Sequence, residues 1–404
     1  MIRRHLALQL TGQKLFATGM GALVLALGCG TNGGESTGSG GAAGAGGNAS
    51  GGNGSGGDAS GSSPGSGGEN DGSGGDPGPS TGGSDPLSEA CHSPSDAGEL
   101  TTKLPCLLSE TGLYAADMET LGEGVRPFEP IFPLWTDSAA KKRWIRLPAG
   151  TQIDTAEMDF WSFPAGTKLW KEFARDGVRV ETRLIEKQES GAWYMVAYQW
   201  REPQTDADAV PNGVANAKGT EHDIPDTDAC TRCHAEQPDK VLGFSAIQLS
   251  HDPVTASDPN EWTMQRLIDA DLLTAAPAQP FAVPGTETER NFFGYVHGNC
   301  GHCHNPTSSA TLKTGLDLWL KVADLDGEVS AFSVYQNIVD QDIGWADGER
   351  PPAPKRIAPT SLQDSAIYQR FLTKGQVWSM PPLGTEVTDP AGQEVMETWI
   401  QSLN

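Results

Sequence analysis

Two pentads constrain this chain more than any other feature: Cys230-Thr231-Arg232-Cys233-His234 and Cys300-Gly301-His302-Cys303-His304. Each sets two thiols one helical turn apart, with an imidazole next in sequence. This C-x-x-C-H spacing lets a chain hold haem covalently: each thiol adds to a vinyl group and the histidine binds the iron. Cys230, Cys233, Cys300 and Cys303 therefore read as attachment points, His234 and His304 as axial iron ligands, and two haem c groups as the cofactors. With 7 cysteines and 8 histidines in 404 residues, two complete pentads are hard to reach by accident. The alternative for C-x2-C pairs near histidine is tetrahedral structural zinc. The distance between the pairs, the histidine directly after each and the signs of export argue against zinc.

Haem attachment of this kind takes place outside the bacterial cytoplasm, so the N-terminus bears on it. Arg3, Arg4 and Lys14 precede an apolar run from Leu15 to Leu27. Residues 1–28 read as an export signal, too short for a comfortable membrane span. Ala26-Leu27-Gly28-Cys29 resembles a lipobox, which makes Cys29 the candidate lipidated residue; an ordinary cleaved signal would leave it free. Gly30, where an Asp would favour retention at the inner membrane, points to an outer-membrane lipoprotein facing the periplasm or the cell surface. From Gly30 to about Pro86 the chain is nearly all Gly, Ser, Ala, Asn, Asp and Pro. Such a segment has nothing to bury and reads as a disordered tether with a root-mean-square reach of about 40 Å.

Loss of Arg3, Arg4 and Lys14 with the signal takes the formal charge from −24 to −27. That balance disfavours nucleic acid and anionic membrane surfaces, leaving the lipid anchor as the expected membrane link. A basic or neutral redox protein of the cell envelope is the electrostatically easier partner. Once the haem and lipobox thiols are assigned, Cys91 and Cys106 remain, and an oxidising compartment favours their pairing as a disulfide.

The foldable part has a pattern that changes midway. Residues 87–220 read as a mainly β domain, with strands over 142–147, 167–173, 182–185 and 193–200 and a hairpin connection at Glu186–Gly191. Sandwich and barrel are both open. Trp135, Trp144, Trp161, Trp170, Trp193 and Trp200 fit an antiparallel core better than a sugar platform. Residues 221–285 form a first haem-binding segment. Its candidate distal ligands are His251 and Met264, with His222 weaker, and a five-coordinate iron is the alternative. Helices are expected at 260–273 after the Asp258-Pro259 cap, at 287–299, at 361–372, and after Asp389-Pro390, where Val395, Met396, Trp399, Ile400 and Leu403 recur at spacings of three and four.

A helix running into C-x-x-C-H, a middle helix, a Met-Pro loop and a closing amphipathic helix resemble the class I cytochrome c fold in residues 286–404. The fold class expected is thus α+β multidomain: a mainly β N-terminal domain followed by an all-α class I cytochrome c-like domain. In that family the sixth iron ligand is a methionine on the loop before the last helix, a place matched by Met380 in Ser379-Met380-Pro381-Pro382. His297 and His302 would lie near this haem without ligating it, and Thr311–Pro359 resembles an insertion. More widely, Leu108–Leu113, Pro133–Asp137 with Lys141–Gly150, Phe163–Thr167, the two pentads and Met380-Pro381 resemble a family of uncharacterised bacterial dihaem c-type cytochromes of lipoprotein type.

The resemblance supports haem count and architecture more than role. Electron transfer in the bacterial envelope leads. A dihaem redox enzyme, peroxidase-like with an open first haem, comes second and would need a polar distal pocket. A β-domain binding module with an accessory haem domain is third.

Overall fold

Runs rich in aromatic and β-branched residues between Ala140 and Trp200 form four long antiparallel strands, the centre of a six-stranded meander. Its members are β1 (Arg126–Pro127), β2 (Ala140–Arg146), β3 (Lys168–Arg175), β4 (Val178–Lys187), β5 (Trp193–Trp200) and β6 (Ala207–Ala209), each paired with the next. The β3–β4 connection is Asp176-Gly177, both at positive φ (49° and 79°), a two-residue hairpin whose twist matches the strands. Register puts Trp144, Trp170, Leu184 and Val196 opposite one another. The next row, Ile145, Leu169, Ile185 and Met195, faces the other way.

Both faces are covered. The Trp144 row packs with Leu108, Leu113 and Tyr114 from the segment before β1. The Ile145 row packs with Phe244, Leu249, Met264 and Leu267 from the stretch that follows the first pentad. The sheet is therefore neither a barrel nor a sandwich; irregular chain and short helices close it. Five of the six tryptophans are buried core residues, and Trp135 is half-buried.

The structure, a computed structural model, describes residues 105–344 and 353–404. The expected signal, Cys29, the tether and Cys91 lie outside the described residues. Cys106 is disulfide-bonded. The helices are α1 (Thr227–His234), α2 (Met264–Asp269), α3 (Glu287–Asn299), α4 (Ser309–Thr314), α5 (Ser333–Ile338), α6 (Ala366–Leu372) and α7 (Pro390–Ser402). Among the described residues no helix is long and apolar enough to cross a membrane.

Two helices form where the sequence says. The Thr286 and Glu289 side chains cap each other's backbone at the start of α3, and Asp389 caps α7 ahead of Pro390. Helix α3 packs on α7, with Phe292 and Trp399 stacked at 3.6 Å between ring centroids. The 260–273 helix is shorter than expected. Trp262 N–H donates to the Pro127 carbonyl and pairs beside Phe128, so the chain stays extended until Thr263 caps α2. Likewise Ser361 and Ser365 sit in bridges, and α6 begins only at Ala366.

The expected division into a mainly β domain and an all-α class I cytochrome c-like domain is corrected. The core is a six-stranded antiparallel sheet, and the C-terminal part mixes short helices with 3-10 turns and isolated bridges. All described residues fall in one compact unit. The reason is packing between segments distant in sequence. A Cβ on Gly294 of α3 would stand 2.0 Å from the Phe132 ring, so glycine there lets the helix seat on the chain leading into the sheet. Trp135 N–H donates to Asn299 Oδ1 at 2.7 Å, and Asp137 accepts from the backbones of Glu386 and Val387 at 3.0 Å. The described residues of 311–359 are also built into the core. Leu318, Leu320, Phe332, Val334, Ile338 and Ile357 share one core with Phe292, Phe293 and Trp399.

Candidate functional site

The first pentad is largely helical because Asp226, with its side chain accepting from Ala229 N–H at 2.6 Å, caps α1 one turn before Cys230. The second begins as α3 ends, Cys300 being the C-cap residue. Each faces a cavity. The larger, about 1180 Å³, is lined by Cys230, Cys233 and His234; the smaller, about 290 Å³, by Cys300, Cys303 and His304. Met380, Pro381 and Pro382 line both, so one loop walls the two spaces.

The pentads meet. Cys233, His302 and Cys303 bring their ligand atoms within 4.8 Å of one another. Glu236, two residues past the first pentad, accepts from Ser309 N–H and Oγ–H at 2.6 Å, and its carbonyl accepts from Asn305 Nδ2 at 3.0 Å. Gln237 Nε2 donates to the His302 carbonyl at 3.2 Å. These bonds hold the two attachment motifs side by side. The closeness of the Cys303 thiol holds the Cys233 thiol below the usual range and pushes Cys303 above it. Burial, with the nearby Glu181, Cys233 and Asp226 adding to it, pushes Cys230 up to about 11, and burial pushes Cys300 up to about 12.

The histidines divide by which nitrogen is committed. His234 Nδ1 lies 2.6 Å from the Lys240 carbonyl. A carbonyl only accepts, so Nδ1 carries the proton and Nε2 keeps its lone pair, the form a metal binds. Burial holds this ring neutral, its pKa lowered to about 4. His304 is likewise lowered to about 4 by burial. Its Nδ1 is buried without a hydrogen-bond partner, although the Leu316 backbone favours its protonation. His297 is the reverse case. Leu320 N–H donates to its Nδ1 at 3.3 Å, so Nε2 bears the proton and a neutral His297 offers a donor in place of a lone pair.

No known protein family, curated protein or solved structure matches the chain. Four thiols and two imidazoles held in their neutral form, grouped on two cavities, are a donor set that fits two covalently attached haems.

The other candidates scatter. Met264 is fully buried in the core behind the sheet, and His251 lies 3.3 Å from Glu261; neither lines either cavity. His222 does reach the larger cavity, but its Nε2 is 2.7 Å from Glu181 Oε1. Met380 is half-buried, its N–H donating to the Arg370 carbonyl at 3.1 Å, and this bond fixes the loop at the end of α6. Sequence reasoning passed over Arg143, Lys171 and Arg183, which line the larger cavity from the sheet. Their signal is a cationic residue on each strand, two positions from the Ile145, Leu169 and Ile185 row, legible only once register is known.

Proposed function

We propose that this chain is a dihaem c-type electron-transfer protein. The observation that carries the reading is the meeting of Cys233 with Cys303 within 4.8 Å, so that groups attached at the two pentads would be neighbours. When bound, the haems supply one-electron chemistry; everything else is done by the chain. Cys230 and Cys233 would tether one group, and Cys300 and Cys303 the other. His234 offers Nε2 because its Nδ1–H donates to the Lys240 carbonyl, and burial keeps the His234 and His304 imidazoles neutral. Met380 is the proposed sixth ligand of the second haem, since it shares a cavity with His304 and thioether ligation favours the reduced iron.

The cellular setting belongs to the same proposal: export, lipidation at Cys29, an outer-membrane place and a redox partner in the envelope. A dihaem redox enzyme is the second reading. It draws on the larger cavity, where neither His251 nor Met264 is available as a distal ligand. Intact mass of the purified protein tests the first reading. Two haems above the mature polypeptide, retained through acid-acetone extraction, are expected, and Cys29→Ser should move the protein to the soluble fraction. An unmodified polypeptide mass from a host competent in haem attachment would end the proposal.

A further inference from the structure

We propose that Arg143, Lys171 and Arg183 form an anion-binding row in the larger cavity that receives a carboxylate or a small inorganic oxyanion. Strand register places the three directly opposite one another, Arg143 with Lys171 and Lys171 with Arg183. They share a sheet face with the Ile145 row, one pleat repeat further along. That neighbouring row is sealed in the core, whereas the cationic row opens on the cavity.

Like charges directly opposite one another on adjacent strands are destabilising. Carboxylates are not scarce in a chain of formal charge −24, yet only Arg183 has one in an ion pair, Glu181 at 2.5 Å. Arg143 is 7 % exposed, and its Nη2 is buried with no hydrogen-bond partner. Lys171 has no hydrogen bond or ion pair among the described residues; its Nζ sits 4.9 Å from the Phe173 ring centroid. Asp239 and Glu236 on the same cavity wall are engaged by Lys187 and Ser309, while Glu129 and Glu181 favour the charged forms of Arg143 and Lys171 without forming an ion pair with either. A buried guanidinium without a partner is costly. Burial, and then the neighbouring Arg143 and Arg183 charges, hold the Lys171 amine well below the usual lysine range; an oxyanion lying across the row would restore its charge, and the two guanidinium groups can grip such an anion bidentately.

The anion has two possible sources. It can be the propionates of a haem on the first pentad, which rests on the dihaem reading, or a free oxyanion beside that haem. The cavity, about 1180 Å³, exceeds the roughly 300–1,000 Å³ of most small-molecule sites, which leaves space for both. In either case the three side chains do the same work: they neutralise and orient negative oxygen atoms at one wall of the cavity.

The full-length protein is the sample, as wild type, Arg143→Gln and Lys171→Met. Lys171 opens on the cavity, so its variant keeps the test alive if loss of Arg143 disturbs folding. Intact mass is read first, so that a missing haem is scored against the dihaem reading and not against the row. Acetate and phosphate are then titrated by calorimetry, and each haem potential is measured. A free-oxyanion site gives wild-type binding that weakens at least tenfold in both variants. A propionate site gives no binding of added anion, but the potential of one haem falls in both variants at unchanged mass. Unchanged potentials together with unchanged or absent anion binding in both variants would overturn the proposal.

Discussion

Cys233 and Cys303, the second cysteines of the two pentads, lie with their sulfurs and the His302 imidazole nitrogen within 4.8 Å of one another. The arrangement would differ between a haem-loaded and a haem-free chain, because thioether formation would remove both thiolates. Made without haem attachment, the chain should bind one zinc ion through Cys233, His302 and Cys303, thiolate and imidazole being its preferred donors. Cys303→Ser should weaken that binding at least tenfold, and the loaded protein should show none. Zinc titration with a chromophoric chelator measures all three; tight zinc binding by the loaded protein would contradict haem at these cysteines.

Met380→Ala tests the proposed sixth ligand. It should abolish one low-spin methionine–histidine signal and lower the potential of one haem, because the thioether favours reduced iron. Both covalent attachments should survive, as no cysteine is touched. Magnetic spectroscopy and redox titration would read the change, and an unaltered spectrum would remove Met380 from the iron.

Gly294→Ala probes the seam between α3 and the segment entering the sheet. Its new methyl would stand 2.0 Å from the Phe132 ring, and overpacking of this kind costs about 1–3 kcal/mol. The denaturation midpoint should drop accordingly, and Phe132→Leu should restore part of it by making room. A midpoint equal to wild type would mean that α3 does not seat on Phe132.

Acid should weaken the haem-free chain. Burial holds His234, His297 and His304 at about 4, 3 and 4, against an ordinary value of 6.5. Between those values the unfolded chain takes up protons that the folded one refuses, so stability is full above about pH 6.5 and is lost as pH falls toward 4. Urea midpoints at pH 7.5 and 5.0 should differ, with the lower midpoint in acid. His297→Gln should narrow the gap. Equal midpoints would show that these rings are not buried neutral.

Local chemistry determined much of this protein from the sequence alone. The pentads name their own donors. Thr286 with Glu289, and Asp389 with Pro390, mark where α3 and α7 start, because caps act within one turn. Strands β2 to β5 follow from the aromatic and β-branched runs between Lys142 and Trp200, bounded by Pro and Gly, although the bounds move by a few residues. Tertiary structure decided the rest. Residues 311–359 fill the core with Phe292 and Trp399, and the helices of the supposed second domain seat on Phe132, Trp135 and Asp137. Neither fact leaves a periodic trace, since a residue's burial depends on partners dozens to more than a hundred positions away. Convergence of Cys233 with His302 and Cys303, and the alignment of Arg143, Lys171 and Arg183, have the same origin: strand register and loop packing bring chemistry together across the chain, whereas sequence spacing reports only neighbours along it.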